Sequence, residues 1–396
     1  MAREKVVVIG GGPAGMMAAG VAARQGRSVI LVEKNKRLGR KLLITGKGRC
    51  NLTNIAALDG LIANIPVNGK FLYHAFHQFG NRDLIAFFQE WGLPTKVERG
   101  GRVFPVSDRS ADVVAALERF MAHYHVRIIH GEVTEVLATE GQVAGVKLKN
   151  SENIPAGQVI IATGGRSYPR TGSTGDGYRF AKALGHTITP LKPALVPLES
   201  ATAWIREVQG LALKNVAIKL LTKEGKQIYR DFGEMLFTHF GVSGPVILSA
   251  SVHLEPGLPY RLVIDLKPAL TPEQLDLRLQ RDFAKYIRKI FRNALGDLLP
   301  RALIPVVVNL VAIPPDRPVN QITKAERQRL VALLKGLEVE ITGLQPITEA
   351  IVTAGGVSVK EIHPATMESK LVRGLFFAGE VMDVHAYTGG YNLQIA

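Results

Sequence analysis

The chain has 396 residues, 46% of them apolar, which is more than one ordinary domain needs and supports two or three with sizeable cores. Its 40 Gly and 21 Pro are scattered through patterned sequence, which excludes collagen-like and low-complexity classes, and no apolar run is long enough to cross a bilayer uncharged. With 49 Lys+Arg against 34 Asp+Glu the net charge is +15, which fits either a solvated basic surface or attraction to a polyanion such as nucleic acid; the densest basic stretches are 34–47 and 278–292.

Met1-Ala-Arg-Glu-Lys5 leads directly into Val6-Val-Val-Ile, without the longer apolar region and cleavage site of a secretory signal, so a soluble cytoplasmic chain is expected. The apolar runs 5–9 and 28–32 flank 13–25, rich in Ala and Met. That is strand, helix, strand: the βαβ unit of a parallel sheet. A helix is predicted near 82–91, stopped by Gly92 and Pro94. Another spans about 110–124, where Val113, Val114, Leu117, Phe120 and Met121 recur at helical spacing. Alternation marks strands at 126–129, 133–138 and 143–149, and 158–162 reads as a buried strand entering Thr163-Gly-Gly165. From about 190 to 267 short alternating segments, such as 216–221 and 262–266, indicate a small antiparallel β domain. The stretch 271–336 is helical, opened by Pro272-Glu273 and continued over 301–310 and 324–334. After 338–342 Gly- and Ala-rich strand and turn sequence returns. The reading is α/β: a dinucleotide-binding domain in two pieces (1–190 and 345–396), an inserted β domain (191–270 and 337–344) and a helical subdomain (271–336).

Four motifs carry chemistry. The first is Gly10-Gly-Gly12-Pro13-Ala14-Gly15 after the first strand, with Glu33 ending the second. Gly10 allows the tight turn, Gly12 lets the backbone approach a pyrophosphate, and Gly15 lets helix and strand pack closely. The helix N-terminus offers N–H groups and partial positive charge to the phosphates, and Glu33 can accept from ribose hydroxyls. This motif alone leaves NAD and FAD both open. The second is Gly39-Arg40-Lys41-Leu-Leu-Ile-Thr-Gly46-Lys-Gly48-Arg49-Cys50-Asn51-Leu-Thr53-Asn54. Its dense donors, just after Glu33, suit a pyrophosphate and a flavin edge; the plainer alternative is a surface loop with local Asn and Thr turns. The third is Ala162-Thr163-Gly164-Gly165, then Gly172-Ser-Thr-Gly175-Asp176, where Asp176 either caps the following helix or faces the flavin. The fourth runs Phe376-Phe-Ala-Gly379-Glu380-Val-Met-Asp383-Val-His385-Ala-Tyr387-Thr-Gly389-Gly390-Tyr391-Asn392. An apolar strand followed by Gly and an acid suits a ribityl chain. Gly389 and Gly390 would open a helix facing the flavin O2, which chooses FAD as the tightly bound cofactor.

Cys50 is the single cysteine, so an internal disulfide is excluded and no metal site is expected. Disulfide reductases, which need a cysteine pair beside the flavin, are excluded with it. Cys50 is either a small buried hydrophobe or a proton donor to a substrate carbon.

These motifs resemble the YhiN/BaiN-like (RdsA-like) family of NAD(P)/FAD-dependent flavoproteins along the whole chain, with a further element at Phe237-Thr-His239-Phe-Gly241-Val-Ser243-Gly244-Pro245. The resemblance implies a split Rossmann-like FAD-binding domain with an inserted antiparallel β-barrel and a small helical subdomain. It implies FAD held by Gly10, Gly12, Pro13, Ala14, Gly15, Glu33, Lys34, Arg40, Lys41, Gly48, Arg49, Cys50, Asn51, Thr53, Asn54, Val133, Ala162, Thr163, Gly164, Gly165, Asp176, Gly379, Glu380, Asp383, Gly389, Gly390, Tyr391 and Asn392. It implies that His239 and Ser243 lie near the domain junction over the flavin, which makes Cys50 and His239 the candidate catalytic residues. Taken alone, His239 reads as an ordinary polar residue at a strand end. Family members continue for another helix beyond the Gly-Gly-Tyr-Asn element, whereas this sequence stops at Ala396.

Three functions follow as expectations. The first is NAD(P)H-driven reduction of an unsaturated small molecule through FAD. The second is reduction of a uridine C5=C6 bond in ribosomal RNA, which the charge fits. The third is a flavin-bound protein without turnover. No second dinucleotide fingerprint for a nicotinamide cofactor is visible, and the oligomeric state is not legible.

Overall fold

The computed structural model describes residues 5–396; the lead-in 1–4, read above as free of a secretory signal, lies outside the described residues. The chain divides into two compact units, one running to Ala194 and resuming over Pro346–Ala396, the other Leu195–Gln345.

In the first unit, β1 (Lys5–Ile9), α1 (Pro13–Arg24) and β2 (Ser28–Glu33) form the expected βαβ element. They are followed by α2 (Asn81–Glu90), α3 (Ser110–His123), β3 (Arg127–His130), β4 (Gln158–Ile161), α4 (Asp176–Ala183), β5 (Leu375–Phe377) and α5 (Tyr391–Ile395). The sheet order is β5-β4-β1-β2-β3, parallel throughout. Parallel sheets are covered on both faces, which is why β1 and β2 read as continuous apolar runs. On one face Val6, Val8 and Leu31 meet Met16, Ala19, Val113, Leu117 and Phe120 of α1 and α3. On the other, Val7, Ile9 and Ile30 meet Val136, Val146 and Phe180. Gly20 lets the helices touch, since a Cβ there would lie 2.2 Å from the Phe120 ring.

The antiparallel meander Val133–Thr139, Gln142–Leu148, Asn153–Pro155 is as the alternation suggests. The strand expected at 126–129 is instead β3, the edge of the main sheet. Lys192–Ala194 pairs with Val352–Ala354 inside the first unit, so the insertion begins at Leu195 rather than 191.

The second unit is a closed six-membered barrel in the order Leu198–Ser200, Gly241–Ser243, Gln227–Phe237, Ala212–Thr222, Tyr260–Asp265, Leu337–Leu344. Helices Pro272–Lys285, Ile304–Val311 and Lys324–Lys335 pack on it. Thr271 and Thr323 open the outer two with capping boxes. The third begins at Ile304 because Arg301–Leu303 is a tighter 3₁₀ turn and Pro305 sits in the first helical turn. Barrel residues Ile218, Leu262 and Val339 share one core with helical Leu275, Leu279, Leu330 and Leu334. The β and helical pieces, separate in the sequence reading, are therefore one unit. Among the described residues no helix is long and apolar enough to cross a membrane.

Candidate cofactor and active site

The turn Gly10–Gly12 lies at the carboxyl end of the central strand, where open parallel sheets bind ligands. Gly10 has φ +105°, and a Cβ there would stand 2.6 Å from the Ala162 carbonyl oxygen. A Cβ on Gly15 would stand 1.8 Å from the Gly10 carbonyl oxygen. Gly12 is different: its φ is −78°, and a Cβ there would meet nothing within 4 Å. Helix α1 has no side-chain cap and no acid in its first turn, so its leading N–H groups and partial positive charge are open to an anion. The turn is closed where the protein packs on itself and open where a pyrophosphate would approach, so these residues fit the diphosphate of a dinucleotide such as FAD.

Glu33, buried at the end of β2, fastens this turn. Its Oε2 accepts from the Gly11 N–H at 2.6 Å, and its Oε1 accepts from the backbone N–H and Nδ2 of Asn35 at 2.7 and 2.5 Å. Oε2, with one bond, keeps a further lone pair that a ribose hydroxyl could use. Lys34 donates to Thr174 Oγ1 (2.6 Å) and Asp176 Oδ2 (2.5 Å), joining β2 to the start of α4. Asp176 does not cap that helix. The cap is Gly175 at φ +86°, and Asp176 is the first helical residue, its carboxylate held by Lys34 and Thr174. Arg40 donates to Asn35 Oδ1 (2.6 Å). Val133, buried, begins the meander.

The loop after Glu33 is a compact turn over Leu42–Gly48, and most of its expected donors face protein. Arg49 donates to Glu98 and, at 2.6 Å, to Asp108, while its guanidinium lies 4.2 Å from the centre of the Phe104 ring. It pins the hairpin Thr95–Glu98/Arg102–Pro105 rather than offering a charge to a phosphate. Thr53 Oγ1 donates to Gln394 Oε1 (2.6 Å), and Asn54 Nδ2 donates to the carbonyls of Gly100 (2.9 Å) and Gly389 (3.1 Å). These bonds tie the loop to the Gly-Gly-Tyr-Asn turn. Asn51 Oδ1 is buried without a partner. A Cβ on Gly48 would meet nothing within 4 Å, a second open backbone position. Cys50 is 0% exposed at φ +62°, packed with Leu42 and Leu52 in the α1/α3 core. Burial pushes its thiol up to about 12. Of the two readings left open for it, this burial favours the small hydrophobe over the proton donor.

A second polar cluster stands at the carboxyl ends of β4 and β5. Glu380 accepts from Lys41 Nζ (2.7 Å), Ser167 Oγ (3.2 Å) and the Thr353 N–H (2.9 Å). Gly164 and Gly165 sit against it, and a Cβ on Gly165 would lie 2.8 Å from Glu380 Oε1. Burial raises the Asp383 carboxyl, while Asn68 Nδ2 donates to its Oδ2 (3.3 Å). Asn392 closes the following loop: its Nδ2 donates to the Ala386 carbonyl (2.8 Å) and its Oδ1 accepts from the Ala386 N–H (2.9 Å). Tyr391 is half-buried beside them.

Three further polar side chains here are buried without hydrogen bonds: Thr163 Oγ1, the Tyr178 hydroxyl (near Thr353 but without hydrogen-bond geometry to it) and both ring nitrogens of His385. Sequence reasoning assigned no role to Tyr178, Ser167, Thr353 or His385. Ser167 and His385 lie inside or beside motifs already singled out. Nothing local marks Thr353, which only the fold brings to Glu380. His239 is in the second unit, in an exposed turn between Gln227–Phe237 and Gly241–Ser243, its ring 4.9 Å from that of Phe240.

A parallel sheet with an open glycine turn, an acid fastening it and a part-buried polar cluster at the carboxyl edge defines a dinucleotide-binding domain, and its relatives make it a flavin-dependent oxidoreductase. The chain belongs to the HI0933-like family, whose model, described as the HI0933-like protein Rossmann domain, matches residues 4–396. A curated relative from Clostridium scindens, 3-dehydro-bile acid delta(4,6)-reductase, is 33% identical over 400 residues, covering 99% of this chain and 96% of its own. Another, from Escherichia coli, ribosomal RNA dihydrouridine synthase, is 33% identical over 402 residues, covering 100% and 96%. Among solved structures, the fold is similar to that of 3-ketosteroid delta1-dehydrogenase from Sterolibacterium denitrificans, with TM-score 0.53, 12% identity, and 100% and 99% of the two chains covered.

Proposed function

We propose that this chain is an FAD-dependent reductase, driven by NAD(P)H, that adds two hydrogens across a carbon–carbon double bond. The observation that carries the reading is the pairing of the open Gly12 position over the α1 N-terminus with the part-buried Glu380 cluster two strands away in the sheet. When bound, FAD supplies the two-electron chemistry. The protein's part is to hold it: α1 N–H groups at the pyrophosphate, Glu33 at the adenosine ribose, and Lys41, Glu380 and the Gly164-Gly165 turn towards the other end. Support for the bond type comes from the two curated relatives, a delta(4,6)-reductase and a synthase of dihydrouridine, which is uridine carrying two added hydrogens.

A second reading makes the substrate a uridine of ribosomal RNA. The charge of +15 favours it. In 278–292 the basic side chains Arg278, Lys285 and Arg292 are paired with Asp282, Asp297 and Asp316 at 2.8–2.9 Å. In 34–47 Lys36, Arg37 and Lys47 are exposed on the unit that carries the cradle, and in 278–292 Arg281, Arg288 and Lys289 are likewise exposed. The test is NAD(P)H consumption by the FAD-loaded protein with a 3-dehydro-bile acid and with an rRNA fragment, alongside RNA binding across a salt series. Consumption with either substrate supports the reductase, and RNA binding that weakens steeply with salt supports the second reading. Failure of NADH and NADPH alike to reduce the loaded protein overturns the NAD(P)H-driven reading.

A further inference from the structure

His385 is held in a way that a core histidine does not need. Both of its ring nitrogens are buried and neither has a hydrogen bond, although the residue is only 3% exposed. Buried polar groups are almost always paired, so a doubly unpaired imidazole asks for a partner that the chain itself does not supply. The backbone on both sides is fixed. Val67 bridges to His385, the Tyr387 N–H donates to the Asn64 carbonyl (3.0 Å), Asn68 Nδ2 donates to the Asp383 carbonyl (2.7 Å), and Asn392 holds Ala386 from both sides. Its chain neighbours Val384 and Ala386 are packed among Leu61, Leu72 and Phe76. The imidazole lies within electrostatic reach of Glu380. Thr163 Oγ1 and the Tyr178 hydroxyl, also without hydrogen bonds, belong to the same carboxyl edge of the sheet.

We propose that His385 is a cofactor-positioning residue, a preorganised neutral imidazole that hydrogen bonds the polar part of bound FAD. This rests on the FAD reading above. Burial pulls the imidazole down to about 4, so it is uncharged at physiological pH and serves as donor and acceptor rather than as an acid. The apo fold carries an unsatisfied polar group, and the cofactor satisfies it. The residue should therefore cost stability without FAD and add affinity with it, two effects of opposite sign that a purely structural histidine does not combine.

The test uses the full chain, stripped of flavin and titrated with FAD, as wild type, His385→Leu and His385→Asn. His385→Leu is expected to raise the apo melting temperature, weaken FAD binding at least about tenfold and shift the visible absorption of the bound flavin, with His385→Asn recovering part of the affinity. In wild-type protein carrying 15N-histidine, the His385 ring nitrogen signals, identified by their loss in His385→Asn, are expected to move on adding FAD. Unchanged affinity and absorption in His385→Leu overturn the proposal. If that variant does not fold, wild-type ring signals that FAD leaves in place overturn it. Wild-type protein that binds no FAD overturns the cofactor reading itself, a separate and recognisable result.

Discussion

At the scale of the residue, Cys50 shows how a fold narrows what a sequence leaves open. Its place inside a cofactor-like loop left a proton donor and a small hydrophobe both open, and the structure buries it completely. With the thiol pushed up to about 12, almost none is ionised at neutral pH, so iodoacetamide should label it only after unfolding. Cys50→Ala should lower stability by about 1 kcal/mol and leave turnover intact. Loss of turnover in a folded, FAD-loaded variant would return the thiol to the chemistry. A similar caution applies to His186. Its Nε2 lies 2.8 Å from Ser369 Oγ and its Nδ1 3.2 Å from Glu361 Oε2, the spacing of a hydrolytic triad. Yet Ser369 and His186 are buried, and Ser369 Oγ accepts from the N–H groups of Leu371 (3.0 Å) and Val372 (2.9 Å), which makes the row a lock between loops rather than a nucleophile.

At the scale of the element, the glycine turn makes a contrast that separates fold from function. Gly12→Ala adds a methyl where nothing lies within 4 Å, so its melting temperature should match wild type while its FAD affinity falls at least about tenfold. Gly15→Ala drives a methyl to 1.8 Å from a backbone oxygen and should lose about 3 kcal/mol of stability. Thermal melts and FAD titrations of both variants check this; equal damage from the two would show that the open position is not where a cofactor enters. This turn, its strands and helix α3 were legible because local patterning fixes them: continuous apolar runs for doubly covered strands, helical spacing for Val113 to Met121. What was not legible depended on distant partners. Thr353 reaches Glu380 only through the return of the chain after the insertion, and Arg49 reads as a phosphate donor until Glu98 and Asp108 arrive from the neighbouring hairpin. For Asp176 the sequence leaves a cap and a flavin-side role both open, because helix starts are uncertain by a residue, and here Gly175 takes the cap position.

At the scale of the whole molecule, buried neutral histidines tie stability to pH. His385 titrates near 6.5 when unfolded and is pulled down to about 4 when folded, so the unfolded chain binds more protons between those values. This titration costs nothing above about pH 6.5 and lowers stability progressively as pH falls towards 4, by about 3 kcal/mol in all. His186, lowered by burial against the pull of Glu361, acts in the same direction. Apo melts from pH 7 to 5 should fall more steeply for wild type than for His385→Leu; parallel curves would mean that the ring is not held neutral.

The central claim is that the open turn at Gly12 anchors the adenosine diphosphate half of FAD. Calorimetric titration of the flavin-free protein with FAD and, separately, with FMN tests it most directly, because the two share the reacting ring and FMN lacks the adenosine monophosphate portion of that half. Tight binding of FAD at one per chain with far weaker binding of FMN is the predicted result; equal affinity for the two, or binding of neither, would contradict it.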